Sequence, residues 1–347
     1  MHHGSCVAAL LAGLVLAGCE TINTASFDTW DVAPEVVQVP AELSYHGIPL
    51  HSGQIVASEQ GSPQSLFLSL LVADPYPWVH TAVLAIEDGV PWIYESQGRV
   101  RPSLSGPPNR NIGGGVRRVS LESFIGRQRF VGIYEPPPGV DAARVAAYAR
   151  ERFLAGTPFD AYFDLQDPSK VYCGEFTTLA LAAGGAPARR LSAFTPNRSV
   201  RVVTDWLEID TDEIVAAGAV VADARRVALI SARHTERQID AYFDMKDELH
   251  RRFTVDQKLG NVLSFSSITM LDFQPEVREY MNRVNTEART WDGLSAQAVR
   301  GRVQALAAEA FGPYVEVPVA ASVRSGVVPD GAPTRGLSAL PVPASGP

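Results

Sequence analysis

The sequence predicts an α+β fold, an antiparallel sheet with helices packed against it. Three observations carry that prediction. Two apolar runs rich in Val, Ile, Trp and Tyr flank Glu87-Asp88-Gly89, and an Asp-Gly between strand-like runs is a strong hairpin signal. Further short strand-like runs lie at residues 48–58 and 130–134. Beyond residue 140 the pattern turns helical, with amphipathic spacing at 235–252, 274–289 and 295–311.

Taken in order, residues 48–58 predict a turn and a short apolar strand, with Gly53 as punctuation. Residues 64–73 have helical spacing and stop before Pro75 and Pro77. The hairpin follows. Residues 111–117 (NIGGGVR) lack the strand–loop–helix setting and the Lys-Ser/Thr of a phosphate loop, so a mobile loop is expected. The strand at 130–134 ends at three prolines, and residues 141–154 form a helix with Asp141 as N-cap. Residues 157–170 are a polar-aromatic loop. Residues 172–183 form a helix ended by Gly184-Gly185. A short helix is expected within 206–221 and a strand at 227–230. Residues beyond about 319, rich in Pro, Gly, Ala and Ser, predict a disordered tail.

The 347 residues are 46% hydrophobic and 20% charged, with a net charge of -8. A chain of that length and content builds a hydrophobic core, in one large domain or two small ones. The acidic balance argues against nucleic-acid binding, which needs a basic stripe. No apolar run reaches the roughly 18–20 residues that span a bilayer. No His-x-x-x-His and no paired cysteines occur, so neither a metal nor another cofactor is expected.

Residues 7–18 are apolar and short, like a secretory h-region, and end in Leu16-Ala17-Gly18-Cys19. That ending resembles the lipobox of bacterial lipoproteins. The resemblance implies cleavage after Gly18, a lipid on Cys19, and a membrane anchor on the periplasmic side of the outer membrane, since Glu20 stands where inner-membrane proteins often carry Asp. Of the three cysteines, Cys6, Cys19 and Cys173, only Cys173 then remains a free thiol. In an oxidising compartment an unpaired cysteine is either buried and inert or a nucleophile. Cys173 falls in the first turn of its helix, where backbone N–H groups and the helix dipole favour a thiolate. Glu175 opposes this. Of the seven histidines, His2 and His3 leave with the leader, His234 and His250 look solvated, and His46 and His51 lie in a polar setting. His80 opens an apolar strand whose hairpin partner carries Glu95, a carboxylate able to orient an imidazole base.

Several segments then match a known family in order. They are Gly53-Gln54-Ile55-Val56, Val79-His80-Thr81-Ala82-Val83, Trp92-Ile93-Tyr94-Glu95-Ser96, Phe159-Asp160-Ala161-Tyr162-Phe163 and Val171-Tyr172-Cys173-Gly174-Glu175-Phe176. Over about residues 53–183 the chain resembles the circularly permuted branch of the NlpC/P60 papain-like superfamily, specifically its YiiX/YebB-like hydrolases. It departs from the pattern at Gln54, Val79 and Gly174. The resemblance implies a papain-like fold with Cys173 as nucleophile, His80 as base and Glu95 as orienter. It implies an oxyanion met by backbone N–H groups, with Tyr172 and Tyr162 as supporting candidates.

The expected organisation is a leader at 1–18, a tether at 19–45, the papain-like catalytic domain at 46–200, a mainly helical region at 201–318 and the tail at 319–347. The expected function is a cell-envelope cysteine hydrolase, an amidase or endopeptidase acting on peptidoglycan peptides. The alternatives are a non-catalytic envelope lipoprotein that binds peptide or a partner, and a lipid acyl hydrolase or acyltransferase.

Overall fold

The structure is a computed structural model that describes residues 42–100, 112–187, 190–206, 208–231, 233–254, 262–267 and 270–314. The expected leader, the Cys19 lipidation site, nearly all of the tether and the tail at 319–347 lie outside these residues.

The fold is mixed α+β. Six strands form one antiparallel sheet in the order β10(Arg226–Ile230), β7(Phe130–Tyr134), β3(Ile55–Glu59), β4(His80–Glu87), β5(Val90–Val100), β6(Ile112–Ser120). The hairpin read from Asp88-Gly89 joins β4 to β5. Both residues take the left-handed backbone of a two-residue turn, φ 51° and 76°, which matches the twist of the flanking strands. A small hairpin, β1(Glu42–Tyr45) with β2(Ile48–His51), precedes the sheet.

Side chains alternate between two faces. On one, Ile55, Ala57, Val83, Ala85, Tyr94, Val116 and Phe130 belong to the large core. Helices α1(Pro63–Leu71), α3(Ala142–Leu154) and α4(Cys173–Ala183) contribute to that core. On the other, Val56, Ala82, Leu84, Ile86, Ile93, Val131 and Ile133 form a smaller core with Leu50 and with Leu121 and Phe124 of α2(Leu121–Arg127). The N-cap foreseen at Asp141 is present: its carboxylate accepts the N–H groups of Ala143 and Arg144.

One expectation is corrected. The glycine triplet is not a loop, because Gly113, Gly114 and Gly115 lie within strand β6. Its glycines let the 157–159 segment come close. Val116 N–H donates to the Thr157 carbonyl at 2.9 Å, and a Cβ on Gly115 would lie 2.4 Å from that oxygen. The short helix expected within 206–221 is α6(Ala217–Val220), a single turn; the stretch also holds the end of α5(Arg198–Trp206) and a short strand β9(Glu213–Ile214) that pairs β8(Ser192–Ala193). The region beyond residue 200 shares its sheet and its core with the strands before it. β10 pairs with β7 in the same sheet, and α7(Glu236–Phe253) sends Lys246 to Glu59 of β3. Helices α8(Pro275–Glu287) and α9(Ala296–Phe311) close over α7, joined to it through one core. A last hairpin, β11(Leu263–Ser267) with β12(Met270–Phe273), and helix α2 carried no clear sequence signal.

Candidate functional site

Cys173 is the first residue of α4 and is half-buried. Its carbonyl accepts from Thr177 Oγ1 at 3.1 Å and from Thr81 Oγ1 at 3.4 Å. Thr81 follows His80, so Cys173 sits near the start of β4. It lines a pocket together with Leu68, Leu71, Trp78, Val79, Phe159 and Ile214. The walls are aliphatic and aromatic, as ligand pockets generally are. Close packing holds this corner in place. A Cβ on Gly174 would stand 2.2 Å from the Val215 carbonyl oxygen, so only glycine lets α4 approach the 214–217 segment.

His80 and Glu95 are brought together as the sequence suggested. The His80 Nε2 lies 2.5 Å from Glu95 Oε2. The other carboxylate oxygen accepts from Arg117, at 2.9 Å from Nε and 2.8 Å from Nη2. Burial pushes the Glu95 carboxyl up, but Arg117 and the His80 hydrogen bond outweigh it and hold the group well below the usual carboxylate range. Glu95 is therefore ionised, and His80 Nε2 carries the proton that it donates. Arg117 was not foreseen, because it lies in the stretch taken for a loop. Its signal was its place opposite Glu95 in the β5–β6 register.

Alternation along β4 sets the members of the expected triad on two faces of the sheet. Along β4, Thr81, Val83 and Ala85 turn to the face that carries α4, whereas His80 alternates with Ala82, Leu84 and Ile86 on the other. The His80 ring stacks on Phe124 of α2, at 6.3 Å between centroids. Glu95 alternates with Ile93 and faces the same way. Cys173 and the imidazole–carboxylate pair thus stand at one end of β4 but on opposite faces of the sheet. A period of two turns neighbouring residues to opposite sides, so order along the chain does not set the face.

Of the two supporting tyrosines, Tyr172 lines the pocket beside Cys173. Tyr172 is buried, and its hydroxyl oxygen accepts the Val215 N–H at 2.7 Å. Tyr162 is not among the residues lining the pocket; its N–H caps Asp160 at 2.9 Å, and Lys170 lies over its ring. His250, expected to be solvated, is buried, with Nε2 2.9 Å from the Val72 carbonyl oxygen. His234 is half-buried against Phe130. Gln54 is buried and bridges the Pro49 carbonyl and Glu135, which also holds His51 at 2.6 Å. Among the described residues no cluster of metal-ligating side chains occurs, and no helix is long and apolar enough to cross a membrane.

No protein-family model matches the chain, and no curated protein matches it. Among solved structures, a crystal structure of the metalloprotein YiiX from Escherichia coli O157:H7 matches with 18% identity and a TM-score of 0.39, covering 52% of this chain and 96% of that one. A likeness that distant does not bear on function.

Proposed function

We propose that this chain is a binding protein on a papain-like scaffold, and that its ligand places an apolar group in the pocket beside Cys173. One observation carries the reading: the pocket walls are aliphatic and aromatic, while the imidazole that would serve as base belongs to the opposite face of the sheet. A general base works within hydrogen-bond reach of the proton it takes, about 2.6–3.2 Å or through one water. Without that reach the thiol remains a small, weakly polar part of an apolar wall. An acyl chain or an apolar peptide side chain has the matching chemistry. The lipobox-like Leu16-Ala17-Gly18-Cys19 supports a cell-envelope address for such a ligand.

Trp78 reports the pocket directly. Titrating the protein with a medium-chain fatty acid or an apolar peptide is expected to change tryptophan fluorescence saturably. Ala217→Trp, which fills the pocket, should abolish the binding-linked change while leaving the far-UV circular dichroism intact. Saturation unaffected by Ala217→Trp would remove the reading.

A second reading, the cysteine hydrolase, is favoured by the place of Cys173 at a helix start and by a carboxylate-oriented imidazole at the same end of β4. It needs His80 to pass around the strand end. A digest of purified cell-wall fragments by wild type and by Cys173→Ala, read by mass spectrometry, separates the two. Binding alone yields identical fragment masses, whereas hydrolysis yields products that only wild type releases.

A further inference from the structure

Away from Cys173, a hollow is walled by Arg129, Arg233, His234, Gln238, Asn285 and Arg289. It lies where the start of β7 meets the first turn of α7 and the end of α8. Arg117, Arg118 and Arg252, half-buried or buried, pair with Glu95, Glu87 and Glu248, whereas Arg129 has no such partner among the described residues. Arg129, Arg233 and Arg289 share one hollow, and none of the three is in ion-pair contact with a carboxylate among the described residues. Grouping like charges costs free energy unless an anion or solvent offsets it.

One of the three is held rigidly. The Arg129 guanidinium lies 4.5 Å from the Tyr242 ring centroid and 5.3 Å from that of Phe130, and donates to Asn285 Oδ1 at 3.0 Å. Its Nε is buried without a hydrogen-bond partner. Gly61 leaves room for the side chain, since a Cβ there would sit 2.5 Å from Arg129 Cδ. The Ser231 hydroxyl donates to the Arg129 carbonyl at 3.1 Å, so its oxygen accepts from His234 Nδ1 at 3.0 Å and leaves His234 Nε2 to bind a proton. Burial first, and then Arg129, Arg233 and Arg289, hold the His234 pKa below its ordinary value, so all three charges act on this one ring. The nearby acids are otherwise engaged or turned to solvent. Asp292 accepts from Thr235 Oγ1, Glu59 is taken by Lys246 behind Tyr242, and Glu236 is exposed.

We infer that this hollow is an anion site for a phosphate monoester, held by Arg129, Arg233 and Arg289. Guanidinium groups match the oxygens of a tetrahedral oxyanion, and a doubly charged group offsets three cations better than a single carboxylate. The phosphate belongs either to a soluble ester or to a lipid headgroup.

Calorimetric titration of the full chain with inorganic phosphate and with sulfate, at low ionic strength, tests the site. One saturable site is expected, weakened by salt. Arg233→Gln with Arg289→Gln alters two exposed residues and should weaken binding by about tenfold or more. Arg129→Lys, which keeps the charge but loses the fork, should weaken it as well. Sulfate does not titrate in this range, so its affinity should rise as the pH falls below about 6.5 in wild type and stay flat in His234→Gln. Sedimentation with phosphatidic acid vesicles, but not with phosphatidylcholine vesicles, assigns the lipid source; soluble-anion binding alone assigns the ester. Absence of saturable binding to either anion and to the vesicles overturns the inference, as does equal binding by the double variant.

Discussion

At the scale of single residues, Glu95 shows how a buried charge is kept. Its carboxyl is pushed up by burial and pulled down further by Arg117 and His80. A carboxylate whose folded pKa is depressed stabilises the fold fully above the unfolded value, near 4.5, and loses that contribution as the pH falls through the lower folded value. Wild-type stability is therefore expected to decline as the pH drops below about 4.5. Glu95→Gln should remove part of that decline and cost about 3–5 kcal/mol at neutral pH, because half-buried Arg117 is left beside a neutral amide. Urea unfolding measures both; equal midpoints at pH 7 would show that the ion pair contributes nothing. His80 and Glu95 were legible as partners from a hairpin and a spacing. Arg117 was hidden in a glycine-rich stretch whose strand character comes only from what packs against it.

Elements show the same division. Helices α3, α7 and α9 were legible almost to the residue, the first from its Asp141 cap and the others from amphipathic spacing; Asp141, Thr235 and Ser295 each accept backbone N–H groups of the first turn. Strand β6 and helix α2 were not, since glycines and a seven-residue helix offer no periodicity to read. The start of α4 adds a case in which propensity and packing disagree. Alanine favours helix over glycine by roughly 1 kcal/mol. At Gly174, however, an added Cβ meets the Val215 carbonyl oxygen at 2.2 Å, and backbone does not yield easily. Gly174→Ala is expected to destabilise by about 1–3 kcal/mol and to lower the melting temperature. A raised melting temperature would mean that the 214–217 segment moves freely.

Across the whole molecule, the buried pair Glu59–Lys246 ties the sheet to the C-terminal helices. Glu59 Oε2 receives Lys246 Nζ at 2.5 Å, while Oε1 receives Ser65 Oγ at 2.6 Å, Gly61 N at 2.7 Å and Tyr242 Oη at 3.2 Å. Lys246 also donates to the Pro77 carbonyl at 2.9 Å. With every partner satisfied the pair is tolerated; with one removed a charge is stranded. Lys246→Met is expected to cost about 3–5 kcal/mol. A chain truncated after Trp206 should lose cooperative unfolding altogether, since it loses β10 and the wall of the large core formed by Tyr242, Met245 and Leu249. Circular dichroism melts test both, and a truncated chain with a sharp transition would show that residues before 207 fold independently.

The sequence by itself determined what is local: the hairpin at Asp88-Gly89, the capped helices, the cysteine at a helix start, and a histidine and a glutamate on neighbouring strands. Each follows from backbone preferences within a few residues. Only the tertiary structure decided which face of the sheet each side chain joins, which distant segment fills a glycine's gap, and that the C-terminal helices share the core. Those choices depend on contacts between residues far apart in the chain, and a single step of strand register is enough to set a sulfur and an imidazole on opposite sides of one sheet.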